Sequence, residues 1–582
     1  MSVILEKKPI ENGYACYVSG IGNLIYSVEE SDTSEYVAIE NHSPFWCCPF
    51  WGSSLSNLPE KTQALLIQRE GHYSYYLPVC DSVFKTLIRG REGGFEFYTF
   101  SNCETVTECN HQLAYVYVEG TDPHVLVKSA ARATCKLLDN GLQLREEKTV
   151  PDVFNYLGWC SWDALQIRVN HEGLMEKVRE FKEKQVLVHY AVIDDMWADV
   201  PNLNEIPKDA DFDQMVGMMH SSKMRSFAGD PKRFPNGMRA TINDIKREGI
   251  PQVGVWFPTT GYWAGLDPNG SEAERQKENT VILESGQIIV APEEEKAARY
   301  FDDLCARAKE WGGDFVKIDN QGFHERYENI VSVGESSRAI QSGIDKAVDK
   351  YFGGALINCM GMPSECMFNR TSAVSRCSDD FIPESREWFA KNVLQCAFNG
   401  LLQGQFYVND WDMWWTDDEQ AVKNSLCRAI SGGPIYVSDK IGRTNPEILK
   451  PLCLEDGRIL RPDESATPTA DCLMQNPTTT GKIFKIRNCI GENGVCAVFN
   501  INAENKPVSG TLAPIELGIA DGDYAYYEHF SKTTGILKRG EKLNISLANN
   551  DEFRLYTLVP HIDGKEPDFG RKDLFMGVAT TV

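Results

Sequence analysis

Between residues 153 and 465, eight strand-like apolar runs alternate with helix-like stretches, and short, closely spaced β-like runs flank that region on both sides. These observations predict an α/β fold with a central (β/α)8 TIM barrel, an N-terminal β-sandwich and a smaller C-terminal β-sandwich. The expected units are residues 1–152, 153–465 and 466–582. A chain of 582 residues is too long for one ordinary core, which suits three units of which one is a barrel.

Each element has its own signal. From about residue 13 to 150 the runs ACYVSG, NLIYSVE, EYVAIE, ALLIQRE, YSYYLPV, FEFYTF and AYVYVEG are separated by Gly, Asn and Asp, as antiparallel strands are. The barrel strands are expected in NYLGWCSW (155–162), HYAVIDDMW (189–197), PQVGVWF (251–257), DFVKIDN (314–320), ALINCMG (355–361), AVSRCSDD (373–380), QFYVNDW (405–411) and GPIYVSD (433–439). Helices are expected over 171–185, 293–312, 337–352 and 418–431. Beyond about residue 470, KIFKIRN, GVCAVFNIN, YAYYEHF and EFRLYTLV return to the strand pattern.

Composition narrows the function. With 59 Lys+Arg against 83 Asp+Glu the formal net charge is -24, which disfavours nucleic acid or an anionic membrane as the main partner. The start, MSVILEKKPIENG, lacks the apolar region of a signal peptide, and no apolar run is long enough to span a bilayer. The 18 cysteines follow no disulfide framework and form no CxxC pair, so they read as reduced thiols of a cytoplasmic protein, Cys47 and Cys48 among them as core filling.

In a TIM barrel the C-terminal strand ends face the active site. Charged residues collect there: Asp163, Asp194, Asp195, Lys317, Asp319, Arg376, Asp379, Asp380, Asp410, Asp412 and Asp439. Trp162, Trp197, Trp256, Trp411 and Trp414 fall in the same zone. Any one aspartate is explained as well by capping the following helix. Carboxylates, Lys, Arg and indoles together suit a sugar, whose hydroxyls take hydrogen bonds while its apolar face stacks on a ring.

Glycoside cleavage needs two carboxyl groups, about 5–5.5 Å apart where configuration is retained. Asp319 and Asp380 come from the fourth and sixth strands and would share the opening. Lys317, two residues before Asp319, is expected to hold that carboxylate ionised by charge attraction, and Asp379 to help keep Asp380 protonated while Arg376 opposes it. Mg²⁺ would also suit strand-end carboxylates, but there is no phosphate loop, no HExxH and no cluster among ten histidines, so neither metal nor cofactor is expected.

The motifs GWCSWD, VIDDMW, VWFPTTGYWAGL, DFVKIDNQ, SRCSDDF, NDWDMWW and SGGPIYVSD, in this order, resemble glycoside hydrolase family 36, which shares a clan with families 27 and 31. The likeness is to the branch of raffinose synthases, seed-imbibition proteins and microbial α-galactosidases. It implies Asp319 as nucleophile and Asp380 as acid/base, with Asp379 the less favoured choice. It further implies that Asp194 and Asp195 hold the C4 and C6 hydroxyls, Lys317 and Arg376 hold hydroxyls, Trp162 and Trp256 stack, and Cys359 lies near C2. Trp411 and Asp379 belong to the same substrate-binding set, and Trp46 or Trp51 of the N-terminal unit would cover the site.

The expected activity is a retaining, exo-acting hydrolysis of terminal α-galactosyl residues from an oligosaccharide or glycoconjugate. The chain lacks the long insertions of the plant synthases, which favours hydrolysis over transfer. The alternatives are an α-N-acetylgalactosaminidase, since NCMGMPSECMFNRTS matches no specificity motif, or a galactosyltransferase. A non-catalytic carbohydrate-binding protein is the alternative from another class. A homo-oligomer fits the sequence as well as a monomer does.

Overall fold

In a computed structural model, residues 3–28, 30, 33–207 and 210–582 are described. All eight expected barrel strands form: β1 (Leu157–Cys160), β2 (Tyr190–Ile193), β3 (Gln252–Pro258), β4 (Phe315–Asp319), β5 (Leu356–Asn358), β6 (Val374–Arg376), β7 (Val408–Asp410) and β8 (Ile435–Val437). They are parallel and pair in the order β7-β6-β5-β4-β3-β2-β1-β8, so the barrel is closed by ladders except between β7 and β8. There the backbones still meet. A Cβ on Gly433 would lie 2.0 Å from the carbonyl oxygen of Asn409, which only glycine avoids. Every strand residue but Gln252 is buried, which explains why these runs read as apolar blocks rather than alternations.

Helices α1 (His171–Glu183), α2 (Gly237–Glu248), α3 (Glu294–Glu310), α4 (Val333–Phe352), α5 (Arg386–Asn399) and α6 (Ala421–Ile430) surround the barrel. Helix α4 begins four residues before the expected 337, because the Ser332 hydroxyl accepts the Glu335 N–H at 3.3 Å and caps it. Between β5 and β6 only the short helix Ser364–Met367 forms. The N-terminal unit packs there instead: Gln63 accepts the Ser364 N–H at 2.7 Å, and Lys85 pairs with Glu365 at 2.6 Å with both side chains buried.

That unit is a ten-stranded sheet that curls over itself. Along Tyr36–Ile39, Leu65–Ile67 and Tyr75–Leu77, alternate side chains enter two cores. Tyr36, Leu65, Ile67 and Tyr76 fill the inside of the fold, while Val37, Leu66, Tyr75 and Leu77 belong to the core shared with the barrel. The β-like reading to residue 150 is corrected at one place, a helix over Pro123–Leu138. Asp122 caps it by accepting the N–H groups of His124 and Val125, and Pro123 fits its first turn. At the C-terminal end a six-stranded sheet faces the pair Val508–Leu512 and Leu543–Leu547 across a small core.

Candidate active site

Strand register brings the first group together. Trp256 on β3 stands beside Lys317 on β4, and Pro258 beside Asp319. The Trp256 indole N–H donates to Asp319 Oδ2 at 2.9 Å, and the Asn320 N–H to Oδ1 at 2.7 Å. Each oxygen of Asp319 thus keeps lone pairs free while the carboxylate is fixed in place.

Lys317 does not pair with Asp319 as expected. Its ammonium lies 2.7 Å from Asp194 Oδ2, at the end of β2, with both side chains almost wholly enclosed. The reason is reach: residues two apart on a strand face sit about 6.5–7 Å apart, too far for a short aspartate, while the lysine stem crosses the barrel mouth. The charge expectation is corrected with it. Burial raises the proton affinity of Asp319 above the ordinary carboxylate range, and Asp380 adds to this. Lys317, Trp256 and the Asn320 N–H only offset part of the shift.

Asp194 also accepts the Cys160 thiol at 3.1 Å and, through Oδ1, the Asp195 N–H at 2.9 Å. Asp195 Oδ1 accepts the Tyr262 hydroxyl at 2.5 Å, and Oδ2 the Trp263 indole N–H at 2.7 Å. Burial pushes the Asp195 carboxyl up to about 7 in spite of those bonds, with Asp194 adding to the rise. Tyr262 and Trp263 escaped residue-by-residue reading, although both lie within VWFPTTGYWAGL. The turn of Gly261 that places them was the available signal, with φ +85.

The second group stands on β6 and the loop after it. Arg376 is buried, with Nη1 2.9 Å from Asp412 and 3.6 Å from the Cys359 sulfur, and Nη2 3.1 Å from Asp380. The Asp380 side chain is 61% exposed, whereas Asp319 is buried. The Asp380 charge adds to the rise that burial gives the proton affinity of Asp319.

Asp379 turns away from this group. It lies 3.2 Å from the His42 imidazole of the N-terminal unit and 2.7 Å from Lys391 on α5. Burial works against its charge, but His42 and Lys391 hold the carboxyl down at about 2. It is therefore a neutralised carboxylate, not the expected aid to a protonated Asp380. The same contact raises His42: burial opposes its charge, and bonds to Asp379 and Cys48 outweigh that and lift it to about 10.

The tryptophans differ in burial. Trp162, half-buried, opens the short helix after β1, and Trp256 touches Asp319. Trp197, Trp411 and Trp414 are as enclosed as Trp256, and Trp197 donates its indole N–H to the Trp256 carbonyl at 2.6 Å. Of the two N-terminal candidates, Trp46 lies under the Arg376 guanidinium, 5.2 Å from its ring centre. Trp51 instead donates to the Leu473 carbonyl at 2.9 Å. The loop carrying Trp46 closes on the barrel so tightly that a Cβ on Gly322, just past β4, would meet the Pro44 carbonyl at 2.2 Å.

The family described as raffinose synthase or seed imbibition protein Sip1 matches residues 19–506. The chain is 27% identical over 511 residues to a probable galactinol–sucrose galactosyltransferase of Arabidopsis thaliana, covering 80% of this chain and 67% of that protein. Among solved structures it is similar to an α-galactosidase from Lactobacillus brevis, with TM-score 0.59 and 10% identity, over 97% of this chain and 80% of that one. It is also similar to the GH36 α-galactosidase AgaA from Geobacillus stearothermophilus, with TM-score 0.57 and 10% identity, over 94% and 78%. At such identities the two structures show a common fold, the barrel with its flanking sandwiches.

Proposed function

Because the chain belongs to the raffinose synthase and seed imbibition protein family, we propose that it cleaves terminal α-galactosyl residues through a covalent glycosyl-aspartate and passes the galactosyl group to a hydroxyl acceptor. The observation that carries this is the pairing of a buried, hydrogen-bonded Asp319 with an exposed Asp380 across one barrel mouth. In the first step an Asp319 oxygen attacks the anomeric carbon, the bond to the leaving oxygen breaks, and Asp380 gives that oxygen its proton. In the second, Asp380 takes a proton from the acceptor hydroxyl, whose oxygen displaces Asp319 with net retention. The acceptor is water in hydrolysis and a sugar in transfer.

Asp194, Asp195 and Lys317 form the polar floor on which the sugar hydroxyls would rest, with Trp162 and Trp256 beside it. Each carboxylate there is fixed by a side chain that does not react, so the site is organised before substrate arrives. Cys359, which the family resemblance sets near C2, is buried in contact with Arg376, and the paired aryl glycosides below separate galactose from N-acetylgalactosamine. The name of the Arabidopsis relative supports a sugar as acceptor.

The test is purified protein incubated with an aryl α-galactoside, with the matching N-acetylgalactosaminide, and with galactinol plus sucrose, followed by identification of each product and of the anomer first released. Release of α-galactose or transfer to sucrose, with Asp319→Asn inactive, is the expected result. Turnover by Asp319→Asn at the wild-type rate would sink the proposal.

A further inference from the structure

Asp380 stands on the segment after β6, where neither strand nor helix holds it, yet acid catalysis requires a carboxyl placed within hydrogen-bond reach of the leaving oxygen. Asp412, two residues past β7, supplies two supports. Its Oδ2 accepts the N–H of Phe381, the residue after Asp380, at 2.8 Å. Its Oδ1 lies 2.9 Å from Arg376 Nη1, while Nη2 of the same guanidinium reaches Asp380 at 3.1 Å. One buried carboxylate therefore grips the backbone next to Asp380 and the cation against which the Asp380 side chain rests.

Asp412 is itself held. Its backbone has φ +70, a strained value for a side-chain-bearing residue, and its N–H donates to Asp410 Oδ1 at 2.9 Å. Arg428 of α6 donates to its carbonyl at 3.2 Å. Strain maintained by several bonds at a residue aimed toward the site is the mark of a position kept for function.

We propose that Asp412 is the positioning residue for the acid/base Asp380, acting through Arg376 and the Phe381 backbone without touching the sugar. The inference rests on Asp380 being the acid. Its chemistry is specific, because both donors need an acceptor. An asparagine offers one oxygen and turns its amide N–H₂ toward the second donor, so Asp412→Asn releases one support while keeping size and shape.

The test compares wild type, Asp380→Ala, Asp412→Asn and Asp412→Ser on α-galactosides whose leaving groups run from a strongly acidic phenol to a sugar. A strongly acidic phenol leaves without a proton, so misplacing the acid steepens the dependence on the leaving group. For Asp412→Asn, kcat/KM on the sugar leaving group is expected to fall roughly 10–10²-fold, and on the most acidic phenol to stay within about threefold. Asp380→Ala should show the same slope more strongly. An equal loss on every substrate, with the wild-type slope, overturns the inference, since a purely structural role lowers all rates alike. Should Asp412→Asn fail to fold, judged by thermal unfolding, Asp412→Ser is read against the same criterion. If Asp380→Ala shows no steepening, the acid assignment falls and this inference with it; if only the Asp412 variants lack it, the inference alone falls.

Discussion

Two Asp-Asp dipeptides sit at barrel strand ends, and they have opposite fates. Asp194 and Asp195 directly follow β2, both are 3% exposed, and both side chains join one polar floor. Asp379 and Asp380 come three and four residues after β6, where the ladder has ended. One is clamped outward by His42 and Lys391, and the other is exposed beside Arg376. The difference teaches that a strand end fixes where a side chain goes by register, whereas a loop leaves the choice to whatever partner arrives from elsewhere in the chain. Fixed carboxylates suit holding a substrate; a carboxyl free to exchange protons with solvent suits the acid and base roles.

The comparison breaks most visibly at Asp380. Asp380→Ala is expected to lower kcat/KM on sugar leaving groups roughly 10²–10⁴-fold, whereas Asp379→Asn should stay close to wild type. Comparable losses in the two variants, measured side by side, would show that the pair acts as a unit. Next comes the floor. Lys317→Met leaves the buried Asp194 carboxylate without its cation and should cost about 3–5 kcal/mol of stability, read from denaturant unfolding.

A third test uses pH. The Asp195 carboxyl is raised to about 7 by burial, above its ordinary 3.8, so the folded state takes up a proton and the wild type loses stability as pH climbs from 3.8 through 7. Asp195→Asn lacks that loss. Its melting temperature relative to wild type should therefore rise between pH 4 and pH 8, and a flat difference over that range would remove the assigned shift.

The smallest effect belongs to the outward clamp. Asp379→Asn should cost roughly 0.5–1 kcal/mol, because Lys391 is partly exposed and screened. The Asp379 carboxyl is depressed to about 2, so its contribution is present above its ordinary 3.8 and lost as pH falls through about 2. His42 is raised to about 10, so its contribution is complete below its ordinary 6.5 and lost as pH rises through about 10. The stability difference between variant and wild type should thus be widest between pH 4 and 6.5 and fade in both directions.

These contrasts also mark what the sequence could disclose. The eight barrel strands were legible because both faces are buried, and the rim was legible because charged residues inside such runs need a reason. The partner of Lys317 was not, since the nearest carboxylate along the chain is out of reach and the right one is on another strand. Nor was the fate of Asp379, which depends on a histidine from another unit. The helix at Pro123–Leu138 was hidden among strands, although Asp122 followed by Pro123 is a capping signal that periodicity alone passes over. Asp412 stood in view on the rim, but only its bonds to Arg376 and Phe381 distinguish it from a helix cap.

The loop that bears His42 and Trp46 has a consequence in time as well as in space. His42 and Asp379 are 337 residues apart. A ribosome adding roughly 5–20 residues per second needs about 15–70 s to make that stretch. Once Gly120 has been made, for the rest of that interval the first sheet is complete but its outer face, with Val37, Leu66, Tyr75 and Leu77, is covered only in part, by the helix Pro123–Leu138. The speed of synthesis, more than the strength of any one finished contact, then sets how long each new chain stands open to aggregation.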